Sequence, residues 1–435
     1  MSIAENPPRI VHSFAGMTLD RFQAVIVWLM FASTFVALIE PAPSDVLFIF
    51  VVLSFLKSGL KITTVIAPLI LMLLLYNIGG MMSYMQIFEN SKAGIFVLTT
   101  FYMSVSSVFL AFYISENTLE RLDLIKNAII IAAVIASLIA IAGYFNIGGF
   151  VGGSERFASK FARYNRAVGL FKDPNVFSTY IIFPALLLIQ GFMLGTQKRK
   201  FISAISLFII LIALFLAFSR GAWISFVFAS VLLVAFTFIL TPSIAMRSRI
   251  VVFFVAGAIL CVVIIAMLLS VEQIRNLFLD RFTLVKSYDS GETGRFGNQL
   301  NAIPMLLQRP LGFGPLEFGK MFTYDPHNVY LNAFSAYGWL GGLVYPVLII
   351  TTLIVGFKTI IIRTPWQNYA IVIFCPLVST ILQGVQIDTD HWRHFYWLLG
   401  LIWGLFAASL DYPMRNQIQS QNSGSRLPLH RSSAV

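Results

Sequence analysis

Residues 250–270 read IVVFFVAGAILCVVIIAMLLS, an apolar run of 21 residues without one charge. As a helix rising ~1.5 Å per residue it spans roughly 30 Å, the thickness of bilayer hydrocarbon. It leads directly into a polar interruption, residues 271–326, which carries Glu292, Gly294, Arg295 and Asp325 and ends beside His327. A run of lipid length joined to a water-facing loop rich in ionisable groups implies a membrane protein with its chemistry outside the hydrocarbon.

Outward from that run the pattern repeats. Apolar runs fall near 23–39, 45–56, 62–82, 94–114, 125–145, 176–195, 201–218, 222–240, 250–270, 328–357, 367–387 and 393–410. About twelve helices are therefore expected. The second is short, and Tyr337-Gly338-Trp339-Leu340-Gly341-Gly342 divides the tenth into a short surface helix and a true span. With 58% hydrophobic residues, 11% charged and a mean hydropathy of +0.83, the fold class is an all-α polytopic membrane protein with one large outside loop. A β-barrel is excluded, because barrel strands alternate apolar and polar residues whereas these runs are apolar all round. A single membrane domain over 1–415 is expected, followed by a disordered, solvated tail over 416–435. The N-terminal run lacks the small-residue cleavage site of a signal peptide. Cys261 and Cys375 both lie in apolar runs and read as reduced packing residues, with no disulfide or zinc framework.

Charge sets the orientation. With the N-terminus inside, the inside loops hold 16 Lys and Arg against 6 Asp and Glu, and the outside loops 14 against 13. This positive-inside asymmetry predicts both termini on the cytoplasmic side. The net charge of +11 then follows from topology and needs no nucleic-acid partner, nor is any nucleic-acid motif present. The same orientation gathers four polar segments on the outer face: 146–175, Ser219-Arg220-Gly221, 271–326 and 388–392. Arg156, Lys160, Arg163, Arg166 and Lys172 crowd the first, and Arg275, Arg281, Lys286, Arg295, Arg309 and Lys320 the long loop. Cations there oppose the topological bias, so they point to an anionic ligand, phosphate above all because Arg offers it a bidentate fork.

Several residues are candidates for chemistry. Arg220 interrupts two apolar runs, either as a snorkelling interfacial cation or as an anion-binding arginine beside a helix N-terminus. Arg295 follows Thr293-Gly294 ahead of an expected helix over 296–308, with Thr293 as candidate N-cap; the bland reading is an exposed loop arginine. Pro310-Leu311-Gly312-Phe313-Gly314 is a glycine turn able to approach a ligand, without the spacing or lysine of a P-loop. His327, between Pro326 and Asn328, would sit at headgroup level. With an ordinary pKa near ~6.5 it could accept a proton at neutral pH, or serve only as a hydrogen-bonding group. Asp173 or Asn175 of Lys172-Asp173-Pro174-Asn175 reads first as a helix cap. Asp388-Thr389-Asp390-His391 reads as a polar turn, with metal or acceptor contact as the alternative.

Taken together, the fragments Lys172-Asp173-Pro174-Asn175, Ser219-Arg220-Gly221-Ala222-Trp223, Thr293-Gly294-Arg295, Pro310-Leu311-Gly312-Phe313-Gly314, Pro326-His327-Asn328 and Tyr337-Gly338-Trp339-Leu340-Gly341-Gly342 resemble the O-antigen ligase and O-antigen polymerase family over roughly 165–355. The resemblance implies a fold related to class C glycosyltransferases, and glycan transfer from undecaprenyl pyrophosphate at the periplasmic face of the bacterial inner membrane, without metal or other cofactor. It implies that Arg220 and Arg295 hold the donor pyrophosphate and that His327 is the base. Arg163, Arg166, Lys172, Asn175 and Asn328 are expected to bind substrate. The acceptor would be a lipid A–core sugar for a ligase, or a lipid-linked repeat for a polymerase of O-antigen or exopolysaccharide; we take ligase first. Membrane lipids complete the expected partners. A lipid-linked glycan transporter is the competing class. Transporters place ionisable groups at the bilayer midplane and often contain repeats, whereas here the charges gather at one interface and no repeat is visible.

Overall fold

The computed structural model describes residues 13–14, 17–147, 162–163, 166–282, 294–322 and 324–424. The chain forms α1 (Leu19–Ala32), α2 (Pro43–Ser58), α3 (Ala67–Tyr84), α4 (Ser91–Ile114), α5 (Thr118–Tyr144), α6 (Pro174–Tyr180), α7 (Ile182–Leu194) and α8 (Lys200–Leu216). It continues with α9 (Arg220–Leu240), α10 (Ile244–Leu269), α11 (Glu272–Phe282), α12 (Arg295–Leu307), α13 (Phe318–Met321), α14 (Val329–Ile361), α15 (Gln367–Gln383) and α16 (Arg393–Gly424). Among the described residues the only strands are two-residue antiparallel ribbons, Ser13–Phe14 with Met17–Thr18 and Ala162–Arg163 with Arg166–Ala167.

Each of the twelve apolar runs falls wholly or mostly on helix, the first only as far as Ala32, so the protein is an all-α polytopic membrane protein. Eight helical stretches among the described residues are long and apolar enough to cross a bilayer, with Pro174–Leu194 counted as one. The runs expected at 201–218 and 367–387 form helices of 17 residues each, reaching about 26 Å. α1 and α2 are shorter still, at 14 and 16 residues. The expected tail begins inside α16, which runs to Gly424; residues 425–435 lie outside the described residues.

The helices fall into two compact units, Met1–Leu60 with Glu120–Leu284, and Lys61–Leu119 with Val285–Val435. In the first unit, polar side chains at helix starts accept otherwise unpaired amides. Asp173 Oδ1 takes the Asn175 amide at 2.6 Å ahead of α6, and Ser219 Oγ the Ala222 amide at 3.3 Å ahead of α9. The run at 250–270 becomes α10, only 6% of whose most apolar window is buried, so lipid is its natural surrounding.

In the second unit α4 crosses α16 at close range, because a Cβ on Gly404 would stand 2.6 Å from the Ala111 carbonyl oxygen. α14 breaks at Gly338 (φ 65°, ψ −169°), as the glycine-rich fragment there predicts. The fragment 310–314 packs onto that break. The Phe313 and Gly314 amides donate to Ser335 O at 2.9 and 3.1 Å, and the Trp339 amide to Pro310 O at 2.8 Å. The glycine turn read as able to approach a ligand makes its backbone contacts with α14. Ala302, Leu306, Phe313 and Phe318 form a small core beneath it. α12 begins one residue before the expected helix and is capped by Gly294, without a side-chain cap bond; Thr293 lies outside the described residues.

Candidate functional site

The second unit brings three separate stretches of sequence around His327. Pro326 precedes it and Asn328 caps α14, its Oδ1 accepting the Tyr330 and Leu331 amides at 3.0 and 3.1 Å. His327 itself adopts a left-handed backbone (φ 45°), a costly conformation for a residue with a Cβ. Its surroundings fix it there from both sides. Its amide donates to Asp388 Oδ2 at 3.1 Å, the Asn328 amide donates to Asp388 Oδ1 at 3.0 Å, and its carbonyl accepts Arg295 Nη2 at 2.9 Å. Arg295 Nη2 also donates to Gln386 O, and Gln299 Nε2 to Pro326 O at 2.7 Å. α12 thus supplies two side chains that hold the loop carrying the imidazole.

Asp388 has a partner that its reading as part of a polar turn did not show: it is the acceptor for two successive amides of the His327 loop. Burial raises its carboxyl first, and Asp390 and Asp325 add to this; the two amide hydrogen bonds oppose it, leaving it at about 7. The only sequence signal was the pair of carboxylates 388 and 390 between two apolar runs.

Beyond Asp388 the chain builds a second polar group. Asp390, 1% exposed, accepts Asn332 Nδ2 at 3.1 Å and lies 3.4 Å from His391 Nδ1. His391 Nε2 is 3.1 Å from Thr100 Oγ1, which is 2.8 Å from the Tyr337 hydroxyl. The His391 ring lies on Phe96 at 3.8 Å. Among the described residues no group of three His, Cys, Asp or Glu is placed to hold a metal ion.

The first unit gathers other candidates. Asn175 Oδ1 accepts both Arg166 Nη2 and Ser219 Oγ, each at 2.8 Å, so the 172–175 and 219–223 fragments meet at one oxygen. Arg166 is buried, and its Nε donates to Ala217 O at 2.7 Å, where a cation suits the C-terminal end of α8. Arg220 is the first residue of α9 and half-buried. Behind it Trp223 stacks on Phe215 at 5.5 Å. Lys172 pairs with Glu40 at 2.5 Å, both half-exposed. For Arg163 only the strand backbone is described, and Arg156, Lys160, Lys286 and Glu292 lie outside the described residues.

The second unit of this polytopic helical membrane protein thus fixes a histidine and an arginine at the edge of a long polar loop. Residues 205–345 match the family described as O-antigen ligase, and the chain carries that family's domain. The family implies glycosyltransferase-like activity of ligase or polymerase type, with lipid-linked glycan and lipid A–core partners in general. No curated protein matches the chain. Arg220, Arg295, His327 and Asn328 lie inside the match; Arg163, Arg166, Lys172 and Asn175 precede it and Asp388 follows it.

Proposed function

We propose that the protein is a ligase that moves a glycan from undecaprenyl pyrophosphate to a lipid A–core sugar hydroxyl at the periplasmic face of the bacterial inner membrane. Both termini are cytoplasmic in this reading. The acceptor hydroxyl oxygen attacks the anomeric carbon while its proton passes to His327. The bond from that carbon to the pyrophosphate oxygen breaks, and undecaprenyl pyrophosphate leaves with the electron pair. Attack opposite the leaving group inverts the configuration.

The observation that supports this most is the two-sided restraint of His327, with Asp388 on its amide and Arg295 on its carbonyl. A backbone held in an unfavourable conformation at a candidate base is the arrangement expected of a preorganised site. Arg220 and Arg295 are assigned to the donor phosphates. A fixed donor of that kind is worth roughly 3 to 4 kcal/mol in a developing oxyanion. Arg163, Arg166, Lys172, Asn175 and Asn328 are assigned to the substrates. For Arg166, Asn175, Lys172 and Asn328 that role would be additional to the internal bonds they already make.

The test is reconstitution with an undecaprenyl-pyrophosphate glycan and two acceptors, lipid A–core and a second lipid-linked repeat. Glycosylation of lipid A–core is expected; glycosylation of the lipid-linked repeat alone makes the protein a polymerase. Arg220→Ala and Arg295→Ala are each expected to abolish transfer in protein that still assembles in the membrane. Near-normal transfer by either removes that arginine from the donor site.

A further inference from the structure

The loop at 271–326 is polar by composition, yet α12 within it turns one apolar face outward. Phe296, Leu300, Ile303 and Leu307 are 55%, 68%, 46% and 67% exposed. Their spacing of four, three and four residues puts them in a single stripe about 16 Å long. The opposite face is fully occupied, with Asn298, Ala302 and Leu306 buried against the second unit. Asn301 and Gln308 are also exposed and flank the stripe on its polar side. An amphipathic helix normally buries its apolar face; here the inward face is already packed and the large apolar side chains remain outside.

What covers them follows from their neighbours. Trp339 Nε1 donates to Leu306 O at 2.8 Å, tying α12 to the start of the long segment of α14. Trp339, Leu343 and Val347 are themselves exposed at a four-residue spacing, on a helix long and apolar enough to span the membrane. The C-terminal end of the α12 stripe thus lies next to exposed apolar residues of a helix fit to span a bilayer. Just past the C-terminal end of α12, exposed Arg309, its guanidinium 5.3 Å from the Phe313 ring, supplies a cation that suits anionic headgroups.

We propose that α12 is an interfacial helix whose Phe296, Leu300, Ile303 and Leu307 insert into the phospholipid leaflet beside α14. The long loop is then anchored in the bilayer surface, and Arg295 at the N-terminus of α12 is held at headgroup depth. This docking does not depend on which glycan the protein transfers.

The experiment places single spin labels in the full-length protein, in liposomes of phosphatidylethanolamine and phosphatidylglycerol. The sites are Leu300→Cys and Leu307→Cys, with Asn301→Cys and Gln308→Cys as polar-side controls, each in a Cys261→Ser background with buried Cys375 retained. The ratio of collision with oxygen to collision with a water-soluble nickel chelate is expected to be several-fold higher at 300 and 307 than at 301 and 308. Equal ratios at all four positions overturn the proposal. So do labels at 300 and 307 that are shielded from both reagents, which would mean that protein, such as a second copy of this chain, covers the stripe. Either of positions 300 and 307 alone decides the outcome should one variant fail to assemble.

Discussion

At His327 the backbone matters as much as the imidazole. The left-handed φ of 45° persists because Asp388 accepts the amides of 327 and 328 while Arg295 holds the carbonyl. The two acceptor bonds are strongest when Asp388 is ionised. With its carboxyl at about 7, glycan transfer is expected to rise with pH through that value; Asp388→Asn should lower the rate and flatten this limb of the pH profile. The sign for stability is opposite. An aspartate in the unfolded chain ionises near ~3.9, so above that pH the folded state retains the extra proton until about 7. Folding stability should therefore fall as pH rises across this window, and a thermal-midpoint series on Asp388→Asn should lack the slope. His327→Ala should cost about 10²- to 10⁴-fold in rate while donor binding survives. A variant that no longer binds donor would make His327 a binding residue. The sequence could flag His327, since a polar residue at the junction of loop and apolar run stands out. It could not show Asp388 on its amides, because 61 residues separate them.

At the scale of elements, the break in α14 organises the loop. Its position was legible, because Gly338 lies in a glycine-rich fragment at the start of an apolar run. Its partner was not. The turn 310–314 reads in sequence as free to meet a ligand, and only folding shows that its amides and carbonyls satisfy Ser335 and Trp339 across the break. Gly338→Ala is expected to be costly on two grounds. Its conformation is essentially restricted to glycine, and the added Cβ would stand 2.6 Å from Pro310 O. A loss of at least 1 to 3 kcal/mol, about the cost of one strained residue, should appear as a lower thermal midpoint. An unchanged midpoint would show that the 310–314 turn can shift without penalty. In the first unit, Asn175 joins two fragments that the sequence presents 44 residues apart, through one oxygen shared by Arg166 and Ser219.

For the whole molecule, the proposed chemistry runs on arginine, histidine and carboxylate side chains. Transfer should survive EDTA unchanged, and loss of activity that magnesium or manganese restores would direct attention to Asp388 and Asp390. The number of apolar runs, their places on helices and the class of protein were all readable from the chain. Lipid imposes a length of about 20 apolar residues and forbids charge within it, and that constraint is local in sequence. Loop cations were equally plain as composition. Their partners were hidden, because a hydrogen bond depends on distance in space: Arg166 and Lys172 read as ligands for an anion and were found bonded to Asn175 and Glu40. The same holds for the loop that follows residues 250–270. Sequence alone determined that it is a polar interruption between membrane helices. Tertiary structure decided which face of α12 stays outside, because only packing of Asn298, Ala302 and Leu306 within the second unit leaves Phe296, Leu300, Ile303 and Leu307 exposed.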